Sequence, residues 1–402
     1  MKIDNFHISI LLLFIGIICE PIIRESNFMS VVIWGAFLGL NMDIWKVTQR
    51  KCFFKLNILL LTLALIILIS CYAAQNVIKE YLGAGGEGTT MARAFFKAIG
   101  LVSSILFVEK VIIYRKSISF LKVFLSYLII YIFLIDIDAL LFVSNNDINK
   151  RDYDLLYIAG NKFDLTYTNM YLLFVYGKYN MMRNRFKKKY YYCLLGLCFF
   201  MSLYSRCSTS IIACAFLICF FILKLEEKKI IYKPTFYIFV ATICTFALLL
   251  FSAVILSTDV VKSVLGILGE SEDLTSRLII WERISVLFDQ RPLLGFGVGN
   301  VGGIVSNLSN AFDTQNGVLD LYLQVGLIGV VSYFSLLLFF LQSSKYDKSS
   351  APFVAYMYML LIISMVEIPL TFPALFLASF TLITDNNNLK CKNRQDEEII
   401  IY

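Results

Sequence analysis

The residues with the most chemical potential in this chain are a few arginines that stand apart from the other basic residues. Arg277 follows Ser276 and precedes Trp281 by about one helical turn, and Arg283 and Arg291 come soon after. Arg206 follows Ser205 between two apolar runs. A guanidinium offers a planar fork of N–H donors that grips a carboxylate or phosphate at two points and stays charged at physiological pH. Such groups hold anions and neutralise the charge that develops on a departing one. Downstream lie polar groups that could contact a ligand: Asp313, Gln315, Asn316 and Glu367. Gln315 can orient a hydroxyl but cannot take up its proton at neutral pH. The chain's one histidine, His7, stands near the cytoplasmic end of the first apolar run and reads as an interfacial residue.

Two glycine patterns flank these groups. One is Arg291-Pro292-Leu293-Leu294-Gly295-Phe296-Gly297-Val298-Gly299-Asn300, and the other is Gly326-Leu327-Ile328-Gly329. A dinucleotide site would need a strand before the first pattern, and none precedes it, so it reads as a tight, flexible re-entry turn. Gly326 and Gly329 are one turn apart and read as a smooth face for close helix packing.

The elements that must position these residues are membrane helices. The chain has 402 residues, of which 59% are hydrophobic and 16% charged, with a mean hydropathy of +0.75, which is far too apolar for a soluble protein. Its apolar runs of about 18–25 residues can each cross a hydrocarbon layer of ~30 Å as a helix. Helices satisfy their own backbone in lipid, and the short alternating strands of a barrel are absent. The expectation is an all-α polytopic membrane helical bundle, one integral membrane domain over 1–402. It has about twelve spans, near 6–23, 28–45, 56–75, 92–113, 119–140, 166–180, 190–204, 207–224, 235–257, 316–341, 351–367 and 371–385. The 166–180 span is short and polar, 119–140 carries Asp136 and Asp138 at one end, and only a turn at Pro369 separates the last two. No cleavage site follows the first run, so Ile8 to Ile23 reads as a retained span. The ten cysteines sit almost entirely in apolar runs, without metal-ligand spacing, and read as packing residues.

The net charge of +7 does not point to nucleic acid, because the basic residues cluster in loops between apolar runs. That pattern sets orientation. Lys46, Arg50, Lys51 and Lys55 fall on the cytoplasmic side, with Arg115, Lys116 and Lys122, and with the dense cluster Lys178, Arg183, Arg185, Lys187, Lys188 and Lys189. Lys224, Lys228, Lys229 and Lys233 follow, as do Lys390, Lys392 and Arg394 in the tail. Both termini are then cytoplasmic. The segments 76–91, 141–165, 205–206, 368–370 and the long loop 258–315 face out. Arg206, Arg277, Arg283 and Arg291 thus lie on the side where topology disfavours cations, and an anionic ligand is one reason to keep them there.

Within the long loop, residues 271–290 read as one amphipathic helix. Ser271 is its N-cap, Glu272 and Asp273 suit its first turn, and Leu274, Leu278, Trp281, Ile284 and Phe288 form its apolar stripe. The stripe is expected on the membrane surface or on the bundle, and Pro292 ends the helix. Asp313 or Thr314 is expected to cap a helix starting at Gln315, which puts Gln315 and Asn316 at a positive dipole end that favours phosphates.

These residues resemble the O-antigen ligase and O-antigen polymerase superfamily of bacterial envelope enzymes. Its pattern near the end of the large outer loop is a His, then Asn, Ser or Gln, nine residues, and Gly-x-x-Gly. Gln315-Asn316 and Gly326-Leu327-Ile328-Gly329 match the spacing, with Gln in place of His. Arg277 through Gly299 resembles the family's Arg-before-Trp segment leading into Pro-Leu-x-Gly-x-Gly-x-Gly, and Ser205-Arg206 its Ser-Arg pair at an outer helix junction. The specific resemblance covers roughly residues 200–330. It implies inverting, metal-independent and cofactor-free glycosyl transfer on the outer face of the bacterial inner membrane. The donor and acceptor would be undecaprenyl-pyrophosphate-linked oligosaccharides, in contact with membrane lipid and a chain-length regulator protein. On this reading Arg206, Arg277 and Gln315 are catalytic, and Asn316, Arg283, Arg291, Glu367 and Asp313 bind substrate. An outer carboxylate (Asp313, Glu282 or Glu367) would take the proton that Gln315 cannot, unless proton loss is late and needs no strong base. The missing His points to a polymerase rather than a ligase. A flippase would need no long outer loop with clustered arginines.

Overall fold

The computed structural model describes residues 4–20, 27–49, 53–82, 91–143, 157–256, 275–309, 311, 313–344 and 347–384. Within the described residues, each apolar run named above is mainly helical. In order they are α1 (Asn5–Ile17), α2 (Asn27–Leu40), α3 (Phe54–Leu82), α4 (Met91–Ile113), α5 (Ser117–Leu141), α6 (Lys162–Met182), α7 (Lys188–Tyr204), α8 (Ser208–Ile222) and α9 (Pro234–Leu256). The long loop contributes α10 (Thr275–Ile284) and α11 (Val301–Ser309). Then come α12 (Gly317–Ser344), α13 (Ala351–Ile363) and α14 (Phe372–Ala378). Among the described residues the only extended pairing is an isolated bridge between Tyr157 and Gly160. Of the loop 258–315, residues 258–274 lie outside the described residues, including the expected cap Ser271, Glu272, Asp273 and Leu274.

Among the described residues, fewer helices than the expected twelve pass as spans by length and composition. Phe54–Gln75, Ser117–Leu141 and Gly317–Ser344 are long and apolar enough to cross a membrane. A fourth span arises if Phe28–Leu40 and Met42–Thr48, bent by 70°, count as one. Several other runs form shorter helices, such as Asn5–Ile17, Ser208–Ile222 and Phe372–Leu382. A count of about twelve spans is therefore not established. α4 is long enough but carries Arg93, Lys97, Glu109 and Lys110.

Burial sorts the helices. α13 is apolar on all sides, and its residues from Ala351 through Leu361 are all buried, among α6, α8, α9, α12 and α14. A helix with no polar face belongs inside. On α3, by contrast, Ile58, Leu61, Leu65, Ile69 and Tyr72 recur every three or four residues and are exposed, an apolar ridge suited to lipid.

Lys178 departs from the sequence reading. Counted with the exposed cytoplasmic cluster, it is in fact wholly buried. Its Nζ donates to Asp347 Oδ2 at 2.9 Å and to Ser350 Oγ at 2.7 Å, tying α6 to the turn before α13. Burial alone would raise the Asp347 pKa, but the Lys178 ammonium and the Ser349 donors outweigh it and hold the carboxyl below its usual range. Lys178→Ala would leave a buried, uncompensated carboxylate, at a cost of roughly 3–5 kcal/mol. Its melting temperature in detergent should fall sharply, and a Lys178→Met, Asp347→Leu double variant should recover much of the loss. A near-normal melt for Lys178→Ala would refute the staple.

Candidate functional site

The Gly-rich loop and the Gly-x-x-Gly pattern turn out to be two halves of one joint. α12 is not continuous: Gly326 adopts φ 67° and ψ −175°, which breaks the helix. The break frees carbonyls at the end of the first half and N–H groups at the start of the second. The loop supplies both kinds of partner. Phe296 N donates to Leu323 O at 2.7 Å and Gly297 N to Gln324 O at 2.8 Å. In return Leu327 N donates to Pro292 O at 2.8 Å and Ile328 N to Leu293 O at 3.3 Å. Two backbones this close exclude side chains. A Cβ on Gly326 would come within 2.2 Å of the Leu293 backbone, and one on Gly295 within 2.6 Å of Leu323 O. The expected flexible turn and smooth packing face are thus a locked backbone junction.

Helix α3 clamps this joint. Ser70 Oγ donates to Leu294 O and, at 2.9 Å, to Gln324 O. Arg291 Nη1 donates to Ala73 O at 2.6 Å, and burial pulls the pKa of this guanidinium down. The structure thus gives Arg291 an anchoring contact on α3. Ser70→Ala should cost roughly 1–3 kcal/mol, because Leu294 O loses this donor while Gln324 O keeps only that of Gly297 N. Thermal unfolding in detergent checks this, and a shift within error would show that the joint holds without the clamp.

Above the joint the loop has its own apolar core. Ile280, Trp281, Ile284 and Leu287 pack with Ala74 of α3, Val301, Ile304 and Val305 of α11, and Leu323 of α12. Phe288 meets Tyr322 edge to face at 5.8 Å. The stripe therefore covers the bundle, the second of the two places expected for it. The described helix is shorter than expected, ending at Ile284 and passing into a 3-10 turn over Ser285–Leu287. Arg277 lies in the first turn of α10, one turn before Trp281, and its side chain is outside the described atoms. Arg283 is exposed, as is Glu282.

Trp281 joins α10 to the second motif. Its Nε1 donates to Thr314 O at 2.8 Å. Here the expected helix start needs correction. α12 begins at Gly317, and Asn316 is the cap: its Oδ1 accepts from Val318 N and Leu319 N, both at 3.1 Å. An Asn at this position satisfies two of the helix's orphan donors. Asn316 is completely buried, and its Nδ2 makes no hydrogen bond among the described residues. Asp313 does not cap the helix. Its Oδ1 accepts from Gln315 N at 2.8 Å and holds Gln315 at φ 52°.

That conformation separates Gln315 from the other non-glycine residues of positive φ. Arg115, Asn184, Arg206 and Lys224 each follow the last turn of a helix. Arg206 N donates to Leu203 O at 3.1 Å and Cys207 N to Ser202 O at 2.9 Å, the pattern that closes a helix with a left-handed residue. The backbone of Arg206 is thus explained by the end of α7, without any ligand. Gln315 follows no helix, and strain of this kind gathers at functional sites.

The side chain of Arg206 is exposed, and Lys162 Nζ reaches its carbonyl at 3.4 Å. Lys162 opens α6, which starts at a capping box: Asn161 Oδ1 accepts from Phe163 N and Asp164 N, and Asp164 Oδ2 accepts from Asn161 N. α6 and α8 meet where Thr166 Oγ1 lies 2.6 Å from Ser210 Oγ. Glu367 is buried, and its carbonyl comes within 3.0 Å of the position a Cβ on Gly317 would take. Gly317 N donates to Ser364 O at 2.9 Å.

Contacts therefore link some of the sequence candidates. The Arg206 turn meets α6, the Glu367 turn meets the start of α12, and Trp281 ties the helix of Arg277 to that same start. Arg291 and Arg283 stand apart, one on α3 and one exposed on α10. Sequence reasoning missed Ser70, the break at Gly326, and the buried carboxylate Asp320, which accepts a hydrogen bond from Gln324.

Residues 191–334 match the family model described as O-antigen ligase. The match supports the O-antigen polymerase and ligase superfamily. It runs from the first turns of α7 into the second half of α12, so it includes Arg206, α10, the Gln315–Asn316 turn and both sides of the backbone joint. Glu367 and α6 lie outside it. No curated protein and no solved structure matches the chain.

Proposed function

We propose that this protein is a membrane glycosyltransferase that polymerises undecaprenyl-pyrophosphate-linked oligosaccharide repeat units into O-antigen or capsular polysaccharide. The reaction would be inverting and would take place at the outer face of a bacterial inner membrane. The observation that carries the reading is the Trp281–Thr314 bond, which ties the arginine-bearing α10 to the strained Gln315 at the start of α12. The family match over the same segment supports the chemistry.

In this reading Arg277 and Arg206 grip the pyrophosphate and neutralise it as it leaves. The start of α12 adds its dipole. Gln315 and Asn316 orient the reacting sugars. The acceptor oxygen attacks the anomeric carbon from the face opposite the leaving group. The bond from that carbon to the phosphate oxygen breaks, and its electron pair goes to the lipid pyrophosphate. Of the outer carboxylates, Glu282 is exposed and Asp313 is engaged with Gln315 N. Glu367, buried and with its backbone carbonyl against Gly317, is the carboxylate this reading assigns to the acceptor's proton.

The family description favours a second reading, transfer of the finished glycan to lipid A core. Gln at the histidine position argues for the polymerase. Purified protein given lipid-linked repeat units alone should build a ladder of products. A protein that forms product only when lipid A core is added would be a ligase.

A further inference from the structure

We propose that Lys162 is a second cation on the pyrophosphate that Arg206 holds. The proposal deepens the glycosyl-transfer reading and rests on it.

Lys162 and Arg206 are 44 residues apart in sequence and meet at one corner of the fold, where Lys162 Nζ donates to Arg206 O at 3.4 Å. The helices fix this meeting. One turn further along α6, Thr166 Oγ1 lies 2.6 Å from Ser210 Oγ and 3.6 Å from Cys207 Sγ. The first turn of α6 is thereby locked against the turn between α7 and α8 that carries Arg206. Lys162 is half-buried in this corner, and the Arg206 side chain is exposed beside it.

Electrostatics disfavours a lysine here on two counts. Lys162 is the first residue of α6, at the positive end of the helix dipole, where cations are unfavourable. By the alternation of basic loops it also lies in a segment that faces out, away from the side where lysines collect. Arg206 adds a second positive charge, and α8 opens directly after it with no side-chain cap from Cys207. Two cations and two helix starts at one corner make a field that attracts a highly charged anion.

A lipid-linked pyrophosphate has the matching charge and shape. The planar fork of Arg206 suits two oxygens of one phosphoryl group, and the compact ammonium of Lys162 suits an oxygen of the other. When the bond to the anomeric carbon breaks, the leaving pyrophosphate keeps the electron pair, and Lys162 shares the added charge with Arg206.

The test pairs Lys162→Gln, which can still donate to the Arg206 carbonyl but carries no charge, with Lys162→Arg, which keeps the charge. Each full-length protein, purified in detergent, is melted with increasing inorganic pyrophosphate and then assayed with lipid-linked repeat units. Pyrophosphate should raise the melting temperature of wild type and of Lys162→Arg. In Lys162→Gln the concentration needed should rise roughly tenfold or more, while the melt without pyrophosphate stays level. The donor KM should rise by a similar factor. A wild-type pyrophosphate response in Lys162→Gln would overturn the subsite. So would an equal loss in both variants, or a lowered ligand-free melt with an unchanged response, either of which would make Lys162 a structural contact at the end of α7. A melt raised by phosphatidylglycerol but not by pyrophosphate would give the corner to a lipid headgroup and overturn the assignment as well. The melt needs no turnover. A wild-type protein that shows the pyrophosphate response but joins no repeat units would support the subsite while the glycosyl-transfer reading fails.

Discussion

Arg206→Gly should retain full stability and lose polymerising activity. Arg206 occupies the left-handed position that ends α7, with φ 51°. That conformation costs a non-glycine residue about 1–2 kcal/mol, so glycine fits the backbone at least as well. If the arginine served only to close the helix, Arg206→Gly would be active and slightly stabilised. If its guanidinium holds the pyrophosphate, activity should fall about a hundred- to a thousandfold, the usual cost of removing one group aimed at developing charge. Arg277→Ala should fail to the same degree, and lysine at either position should not rescue a two-point phosphate contact. Glycan ladders from cells expressing each variant at normal protein level give the result. Wild-type ladders from either would remove that arginine from the mechanism.

The second large effect concerns folding. Gly326→Ala should yield little folded protein. The residue sits at φ 67°, and its Cβ would press to 2.2 Å from the Leu293 backbone, which cannot yield without opening the joint. The left-handed conformation costs about 1–2 kcal/mol and the overlap about 1–3 kcal/mol, before any of the four backbone hydrogen bonds is lost. Gly196 is the control: it lies in α7 with nothing near its Cβ position. Gly196→Ala should be neutral or stabilising by up to about 1 kcal/mol. Monodisperse Gly326→Ala with a normal melt in detergent would show that the joint is not as tight as described.

The joint also shows where sequence reasoning stops. Gly326 and Gly329 at one-turn spacing read as a helix-packing face, because periodicity cannot reveal a helix that breaks to accept a partner. That partner, the Pro292–Gly297 segment, reads as a loose turn for the same reason. Each motif is intelligible only through the other, and Ser70 is invisible in sequence because a lone serine in an apolar run has no signature. Lys178 shows a related limit: counting charges by loop assigns it a side, but not a buried partner 169 residues away. By contrast, the apolar runs were legible as helices, and the pairing of Trp281 and Ile284 on one buried face followed from 3.6-residue spacing. Of the site, the segment with Gln315 and Asn316 was legible to within two residues. The cap, read as Asp313 or Thr314, is Asn316 instead.

The most direct test is a mass balance. Purified protein in lipid vesicles, supplied only with undecaprenyl-pyrophosphate-linked repeat units, should release one undecaprenyl pyrophosphate for each glycosidic bond formed. Each new bond should carry the anomeric configuration opposite to that of the donor. No bond formation by active-site-competent, folded protein, or retention of the donor's configuration, would contradict the account.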